Sequence, residues 1–265
     1  FLFMPGTGKI KLDPGTDEAP DSGYRSRFSH KDERATPGYY YVHLKDYDVK
    51  AEMTAGERSG MFRFTYPKTD SAFVLVDLNH TLWQKCIWSN IRVEGDRTIT
   101  GYKLVKGWGP ERHIYFRAVF SRPFRRFMIY QDKKPVIYNT SRFRSNREAW
   151  GTNILFTATF DVHDSAEVTV KTAISSTSTD GAALNLKELD GQDFNSLKKL
   201  AAEKWEKELS KYQITGTDQQ KSTFYTSAYH AALCPFTYND ADGKFAGLDK
   251  NIEQPKEFTN RTEFS

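Results

Sequence analysis

Cysteine is scarce: Cys86 and Cys234 are the only two in 265 residues. They lie far apart and in different regions of the chain, so one disulfide is open to them, but two buried free thiols are the expected state. Long apolar runs are missing too. Nothing approaches the ~18 residues of a membrane span, and none is expected. Neither sign of charge dominates, because 38 Lys and Arg face 34 Asp and Glu and leave a net +4. That small excess gives no argument for nucleic acid or a membrane surface as partner. There is no Gly-rich phosphate loop, no GxSxG elbow, no HExxH and no paired His/Cys spacing. Carboxylates are plentiful, yet no spacing singles out an acid/base pair. Internal repeats and low-complexity segments are also missing.

Core material is ample, with 38% hydrophobic and 14% aromatic residues, well outside the composition of disorder. After a Gly- and Pro-punctuated opening to about Asp21, Thr36-Pro37-Gly38 signals a turn before the strand-like YYYVHL. Val49, Ala51 and Met53, then Phe62, Phe64 and Tyr66, alternate with polar neighbours as a hairpin with one wet face does. AFVLVDL reads as a strand covered on both faces. Four further strand-like runs, CIWSNIRVEG, RTITGYKLVKG, HIYFRAVF and FRRFMIYQ, follow at short intervals. The inward sets are Ile114, Phe116, Ala118 and Phe120; Ile154, Phe156, Ala158, Phe160 and Val162; and Val168, Val170 and Ile174. Successive short strands with no interleaved helix predict an antiparallel sandwich, not a parallel α/β sheet.

The pattern turns helical between Ser175 and Asp193. Phe194, Leu197, Ala201, Trp205, Leu209 and Tyr212 recur on one face of an amphipathic helix. Thr217, with Gln220 three residues on, caps a second helix that Pro235 stops. Phe224, Tyr225, Ala228, Tyr229, Ala232 and Leu233 give it a wide apolar face. Two helices cannot enclose a core alone. The chain opens on FLFMPGTGKI without a start methionine or signal peptide, and closes on TNRTEFS, where Phe258 and Phe264 mark another element beginning. An internal piece of a larger protein is expected.

Several clusters have a chemical reading and a plainer one. Arg122, Phe124, Arg125, Arg126 and Phe127, with Arg142, Phe143, Arg144 and Arg147, could stack bases and neutralise phosphates. The favoured alternative is a strand surface whose arginine stems cover apolar area. Asp240-Ala-Asp242-Gly243 matches the opening of a calcium loop, but Lys244 and Phe245 follow where further ligands belong, so a tight turn is favoured and Asp240 and Asp242 remain weak metal candidates. His230 sits mid-helix beside the aromatic face, where a hydrogen-bonded packing histidine is the expectation. His30, Asp32 and Glu33 read as a polar loop anchor. Trp83, Trp88, Trp108 and Trp150 are the aromatics through which a non-catalytic sandwich module would bind carbohydrate, the rival functional reading.

Several stretches in order carry a resemblance: YRSRFSHKDERATPGYYYVHL, DYDVKAEMTAGERSGMFRFTYP, the AISSTSTDGA turn into a helix, WEKEL, and FYTSAYHAALCPFTYNDADGKFAG. Together they resemble glycoside hydrolase family 92, the calcium-dependent exo-α-mannosidases found widely in gut Bacteroidetes, and the likeness runs from near residue 1 to residue 265. It implies a mostly β chain: a β-sandwich (super-sandwich) over 1–176, incomplete at its N-terminus; a linker with an amphipathic helix over 177–214; and the start of an (α/α)6 catalytic barrel over 215–265. It further implies removal of terminal α-linked mannose, as in the α-1,2-mannosidase class, with inversion. A glutamic acid would protonate the departing oxygen while an aspartate ~6.5–9.5 Å away activates water on the opposite face. Ca2+ would bind sugar hydroxyls.

On this resemblance the family's acid, base and calcium ligands map beyond TNRTEFS, and its sugar-contacting N-terminal loops before FLFMPG. No catalytic residue is assigned here, and the piece alone is expected to be inactive. The implied partners are mannose-containing glycans and the remainder of the same polypeptide, with no nucleic acid. The parent is expected to be exported by a bacterium, to the periplasm, the cell surface or the medium. One departure stands out: Phe62 occupies a place where the family often has histidine, a packing detail.

Overall fold

The computed structural model describes residues 1–107, 111–137, 146–163, 166–255 and 261–262. Strands β1 (Leu2–Gly6), β2 (Glu33–Thr36), β3 (Tyr39–Leu44), β4 (Val49–Ala55), β5 (Ser59–Thr65), β6 (Ala72–Asp77) and β7 (Lys85–Glu94) come first. Then follow β8 (Thr98–Lys106), β9 (Arg112–Phe120), β10 (Arg126–Gln131), β11 (Lys134–Pro135), β12 (Glu148–Gly151), β13 (Ile154–Phe160) and β14 (Glu167–Ser175). Among the described residues they make a five-stranded sheet, β1-β6-β13-β10-β11, and a nine-stranded sheet, β12-β7-β8-β9-β14-β5-β4-β3-β2. Neighbours pair antiparallel throughout, as period-two strands joined by short turns do.

The two sheets close on each other through aromatic rings. Phe120 of the large sheet stacks on Phe160 of the small one at 5.6 Å, Phe124 meets Phe156 edge-on at 5.6 Å, and Phe3 stacks on Phe62 at 5.1 Å. Phe62 therefore does packing work where it stands. All six residues of β6 are buried, as the unbroken AFVLVD run predicts. Phe116, Ala118, Phe120, Ile154, Phe156, Ala158, Phe160, Val162, Val168 and Val170 lie in the core as expected. Ile174 does not: it is 53% exposed, while Ala173 and Ser175 are buried. It keeps the inward parity, pairing opposite Phe116, but borders a cavity at the sheet's end. A helix covers the other face there instead.

Helices α1 (Thr179–Leu186), α2 (Phe194–Leu209) and α3 (Asp218–Ala232) follow the sheets. Ser178 caps α1 by accepting from the Gly181 N–H, and Asp193 caps α2 by accepting from the Ser196 N–H. Phe194, Leu197 and Ala201 are the buried residues of α2, and Phe194 and Leu197 form a second small core with Met61 and Leu189. Gly38, at φ +79, lies under this helix, where a Cβ would come 2.8 Å from that of Ala201. Both the backbone angle and the space require glycine. Arg63 fixes the first turn of α2: its Nε and Nη2 donate to Glu52 at 2.7 and 2.8 Å, Nη1 donates to Asn195 Oδ1 at 3.0 Å, and its guanidinium lies 4.2 Å from the Phe194 ring centre.

Helix α3 starts on the expected capping box, Thr217 and Gln220 bonding reciprocally, and has no buried residue. It touches α2 through Trp205 and Tyr229, 4.7 Å apart, and Tyr225 donates its hydroxyl to the Tyr212 carbonyl at 2.7 Å. Phe224 and Leu233 stay 37% and 46% exposed. This open face changes two expectations in part. His230 packs beside Tyr229 as expected but is exposed, and both thiols are free as expected, but Cys234 is exposed and Cys86 half-buried where burial was expected.

Beyond α3 four two-residue strands, β15 (Phe236–Thr237), β16 (Phe245–Ala246), β17 (Ile252–Glu253) and β18 (Arg261–Thr262), pair as β15-β18 and β16-β17. Two polar ties hold the post-sandwich segments in place. The Glu188 carboxylate accepts from the Glu57 and Arg58 N–H groups and from Ser59 Oγ, at 2.7, 3.0 and 2.7 Å, gripping the β4–β5 turn. Asp240, 2% exposed, accepts from Ser175 Oγ and Thr177 Oγ1 at 2.6 Å each and from Asn185 Nδ2 at 2.8 Å. Asn185 Oδ1 in turn accepts from the Ala241 N–H at 2.7 Å.

Two outcomes follow from these contacts. A methyl on Gly181 would stand 2.5 Å from Asp240 Oδ2 and Ser175 Oγ and 2.6 Å from Thr177 Oγ1. Overpacking of ~1–3 kcal/mol then outweighs the ~1 kcal/mol that alanine gains over glycine inside a helix, so Gly181→Ala lowers the denaturant midpoint. The second concerns acid. Burial alone would raise the Glu52 pKa, but hydrogen bonds from Arg63 and the Tyr39 hydroxyl bring it below its ordinary value. A depressed folded pKa gives stability that is present above the unfolded value and lost as pH falls through the folded one. Melting temperatures of wild type and Glu52→Gln, separated at pH 7, converge as the pH is taken down through the carboxylate range.

Candidate functional site

A cavity of about 420 Å³ opens at one end of the sandwich, where the β4–β5 turn, the start of β9, the end of β14 and the segment after α3 meet. Its wall includes Ile114, Ile174, Phe236, Tyr238, His113 and Arg58. Each is placed by its neighbours. Arg58 Nε donates to the Asn239 carbonyl at 2.7 Å, and Nη1 reaches Glu57 at 3.4 Å. His113 stacks on Tyr115 at 5.6 Å and meets Tyr102 edge-on at 5.3 Å. Burial, then the nearby Lys250, lowers the His113 pKa, so the ring is neutral at pH 7. Tyr238 packs against Phe245 at 6.3 Å.

Two carboxylates border the cavity, Glu57 and Asp240, and both are engaged. Lys204 donates to Glu57 at 2.8 Å and, with Arg58, holds its pKa low, while Asp240 is held by the three neutral donors described above. A Glu57 carboxyl held low by Lys204 is not the proton donor that general-acid work at neutral pH needs. Among the described residues the cavity's two bordering carboxylates, Glu57 and Asp240, are both spent on protein donors.

The same geometry bears on the metal question. Asp242 turns away from Asp240 to Lys244, accepting from its N–H at 3.1 Å and its Nζ at 2.7 Å. Asp240 to Gly243 close a tight turn, the Gly243 N–H donating to the Asp240 carbonyl at 2.9 Å, with Gly243 at φ +87. Asn239 Oδ1 is a buried oxygen without a hydrogen-bond partner, one ligand where calcium takes ~6–8. No group of three His, Cys, Asp or Glu able to hold a metal occurs among the described residues. The described residues therefore do not fit a calcium site.

The other clusters resolve into surface and core. Phe124 lies in the inter-sheet aromatic cluster, while Arg122 donates to the carbonyls of Glu167 and Asp161. Arg147 lies 5.3 Å from the Phe127 ring centre and donates to the Gly95 carbonyl. Arg142, Phe143, Arg144 and Trp108 lie outside the described residues. His30 bonds Glu33 at 2.6 Å, and Asp32 pairs with Lys45 at 3.3 Å. Trp83 is 93% exposed, and Trp88 and Trp150 are 41% and 47% exposed. Sequence reasoning missed Glu188, Asn185, Ser175 and Arg58. Glu188 sits about 130 residues from the turn it grips, and no local spacing announces that contact.

Comparison with known proteins accounts for the whole chain. Residues 1–175 match the glycosyl hydrolase family 92 N-terminal domain, and residues 181–265 match the glycosyl hydrolase family 92 catalytic domain. No curated protein sequence matches. Among solved structures, a family GH92 α-mannosidase from Bacteroides thetaiotaomicron is 64% identical with a TM-score of 0.95, over 98% of this chain and 35% of its own. A structure of that enzyme in complex with mannoimidazole matches equally well. The GH92 family glycosyl hydrolase ccman5, 23% identical over 100% of this chain and 36% of its own, shares the fold at a TM-score of 0.83. The chain thus spans about a third of the length of these solved relatives. The two family matches meet where β14 gives way to α1, and the chain belongs to glycoside hydrolase family 92.

Proposed function

We propose that this chain is the sandwich, linker and first catalytic-domain segment of an α-mannosidase that removes terminal α-linked mannose from glycans. The observation that carries this reading is the 64% identity to an α-mannosidase across 98% of the chain. In the finer form of the proposal the enzyme belongs to the α-1,2-mannosidase class, inverts at the anomeric carbon and needs calcium. Inversion asks for an acid and a base ~6.5–9.5 Å apart, with a water between them. Glu57 and Asp240 are committed to structural partners, so the proposal puts both groups, and the calcium ligands, in the remainder of the parent polypeptide. The isolated piece would then be inactive. It supplies a rigid wall against which substrate is oriented. The proposal also holds that the parent is exported by its bacterium.

One observation favours a second reading, glycan binding by the sandwich face itself. Trp150 lies directly opposite Asn90, and Trp88 two residues along on the same face, so two exposed indoles are diagonal neighbours. Titration calorimetry of this piece with manno-oligosaccharides tests that reading.

The leading proposal is tested by assaying the full-length parent on an α-mannoside. Expected are hydrolysis with an inverted anomeric product by NMR, loss of rate in a chelator and recovery on adding Ca2+. An enzyme indifferent to the chelator, or one that retains configuration, contradicts it.

A further inference from the structure

We propose that the β4–β5 turn couples the sandwich to the catalytic-domain segment, and that Arg58 is the residue through which loosening on one side reaches the other. This concerns how the two family segments hold together and is independent of which bond the parent cleaves.

The turn belongs to the stretch matched by the N-terminal domain, yet three stretches of the catalytic-domain match converge on it. Glu188 accepts from the Glu57 and Arg58 N–H groups and from Ser59 Oγ. Lys204 of α2 donates to the Glu57 carboxylate. Arg58 Nε donates to the Asn239 carbonyl at 2.7 Å, from a side chain that is mostly buried. The Glu188 carboxylate is closely seated: a Cβ on Gly56 would stand 2.4 Å from its Oε1.

Arg58 thus joins two of these stretches, holding Glu188 through its backbone and Asn239 through its side chain. The path continues without a soft joint. The peptide between Asn239 and Asp240 is planar, so the carbonyl that Arg58 holds and the Asp240 N–H move together. That N–H donates to the Lys244 carbonyl at 2.8 Å, and the Gly243 N–H donates back to the Asp240 carbonyl at 2.9 Å. The Ala246 N–H donates to Ser176 Oγ of the sandwich end at 3.1 Å. Bonds that share one such network open together and form a cooperative unit that hydrogen exchange can read.

The test measures amide hydrogen exchange in the full-length parent, over 55–60, over 236–247 and over β13 as a control. Wild type, Glu188→Gln, Arg58→Lys and the double variant are compared. Glu188→Gln keeps the size and turns one acceptor oxygen into a donor; Arg58→Lys keeps the charge and the backbone N–H but has no Nε. Glu188→Gln is expected to speed exchange over 55–60 by about tenfold, the effect of one lost hydrogen bond to a charged group. Over 236–247, which Glu188 does not touch, it speeds exchange about threefold or more, within the range of coupling inside one network. In the Arg58→Lys background the same change speeds 55–60 and leaves 236–247 as Arg58→Lys alone has it. Gly56→Ala, which displaces the same carboxylate, gives the same pattern. Exchange over 236–247 that ignores Glu188→Gln, or responds equally with Lys at 58, overturns the proposal, as does equal acceleration in β13, the mark of global destabilisation.

Discussion

A carboxylate with almost no contact with water must find its donors inside the protein, and Asp240 finds them in three different places. Ser175 ends the last strand of the large sheet, Thr177 lies in the turn beyond it, and Asn185 projects from α1. Leaving any of these hydrogen bonds unmade is costly at such burial. The order of elements around them is therefore constrained: α1 must lie on β14, and the turn after α3 must return to the sandwich. Gly181 is small for this reason, since a side chain there would occupy the space of the carboxylate. The Glu188 grip on the β4–β5 turn works by the same logic on the neighbouring hairpin.

Around that constraint the two halves of the chain differ in how they are stabilised. The sandwich has its own core of stacked phenylalanines between two sheets. The helical part does not: α2 rests its first two turns on β3, β4 and β5, and α3 contacts little besides α2. Capping and propensity define α3, but tertiary packing supplies most helical stability in proteins. Its exposed Phe224 and Leu233 face fits the proposal that further helices of the parent lie against it.

What could be read beforehand follows the range of each interaction. Strand positions come from side chains alternating every second residue, so β6, β9 and β13 were legible from AFVLVD, HIYFRAVF and NILFTATF. The helix faces and the Thr217–Gln220 capping box are local patterns of three or four residues, equally legible. Ile174 misled because alternation gives parity and not coverage; it points inward where the wall ends. Cys234 and His230 misled because burial depends on what lies across from a helix. The Asp240 and Glu188 ties join residues 55 to 131 positions apart, and the cavity is assembled from five separate segments, as the sheets are from strands out of sequence order. None leaves a periodic trace. The likeness to family 92 was legible because several separate stretches, in order along the chain, carry it.

The grip of Glu188 has one more consequence. A connector clamped at its middle to the β4–β5 turn, and seated through α2 on the adjoining strands, behaves as a splint and not a tether. Torque applied to the helical part passes directly into the β-sheets, so hinge opening is costly here.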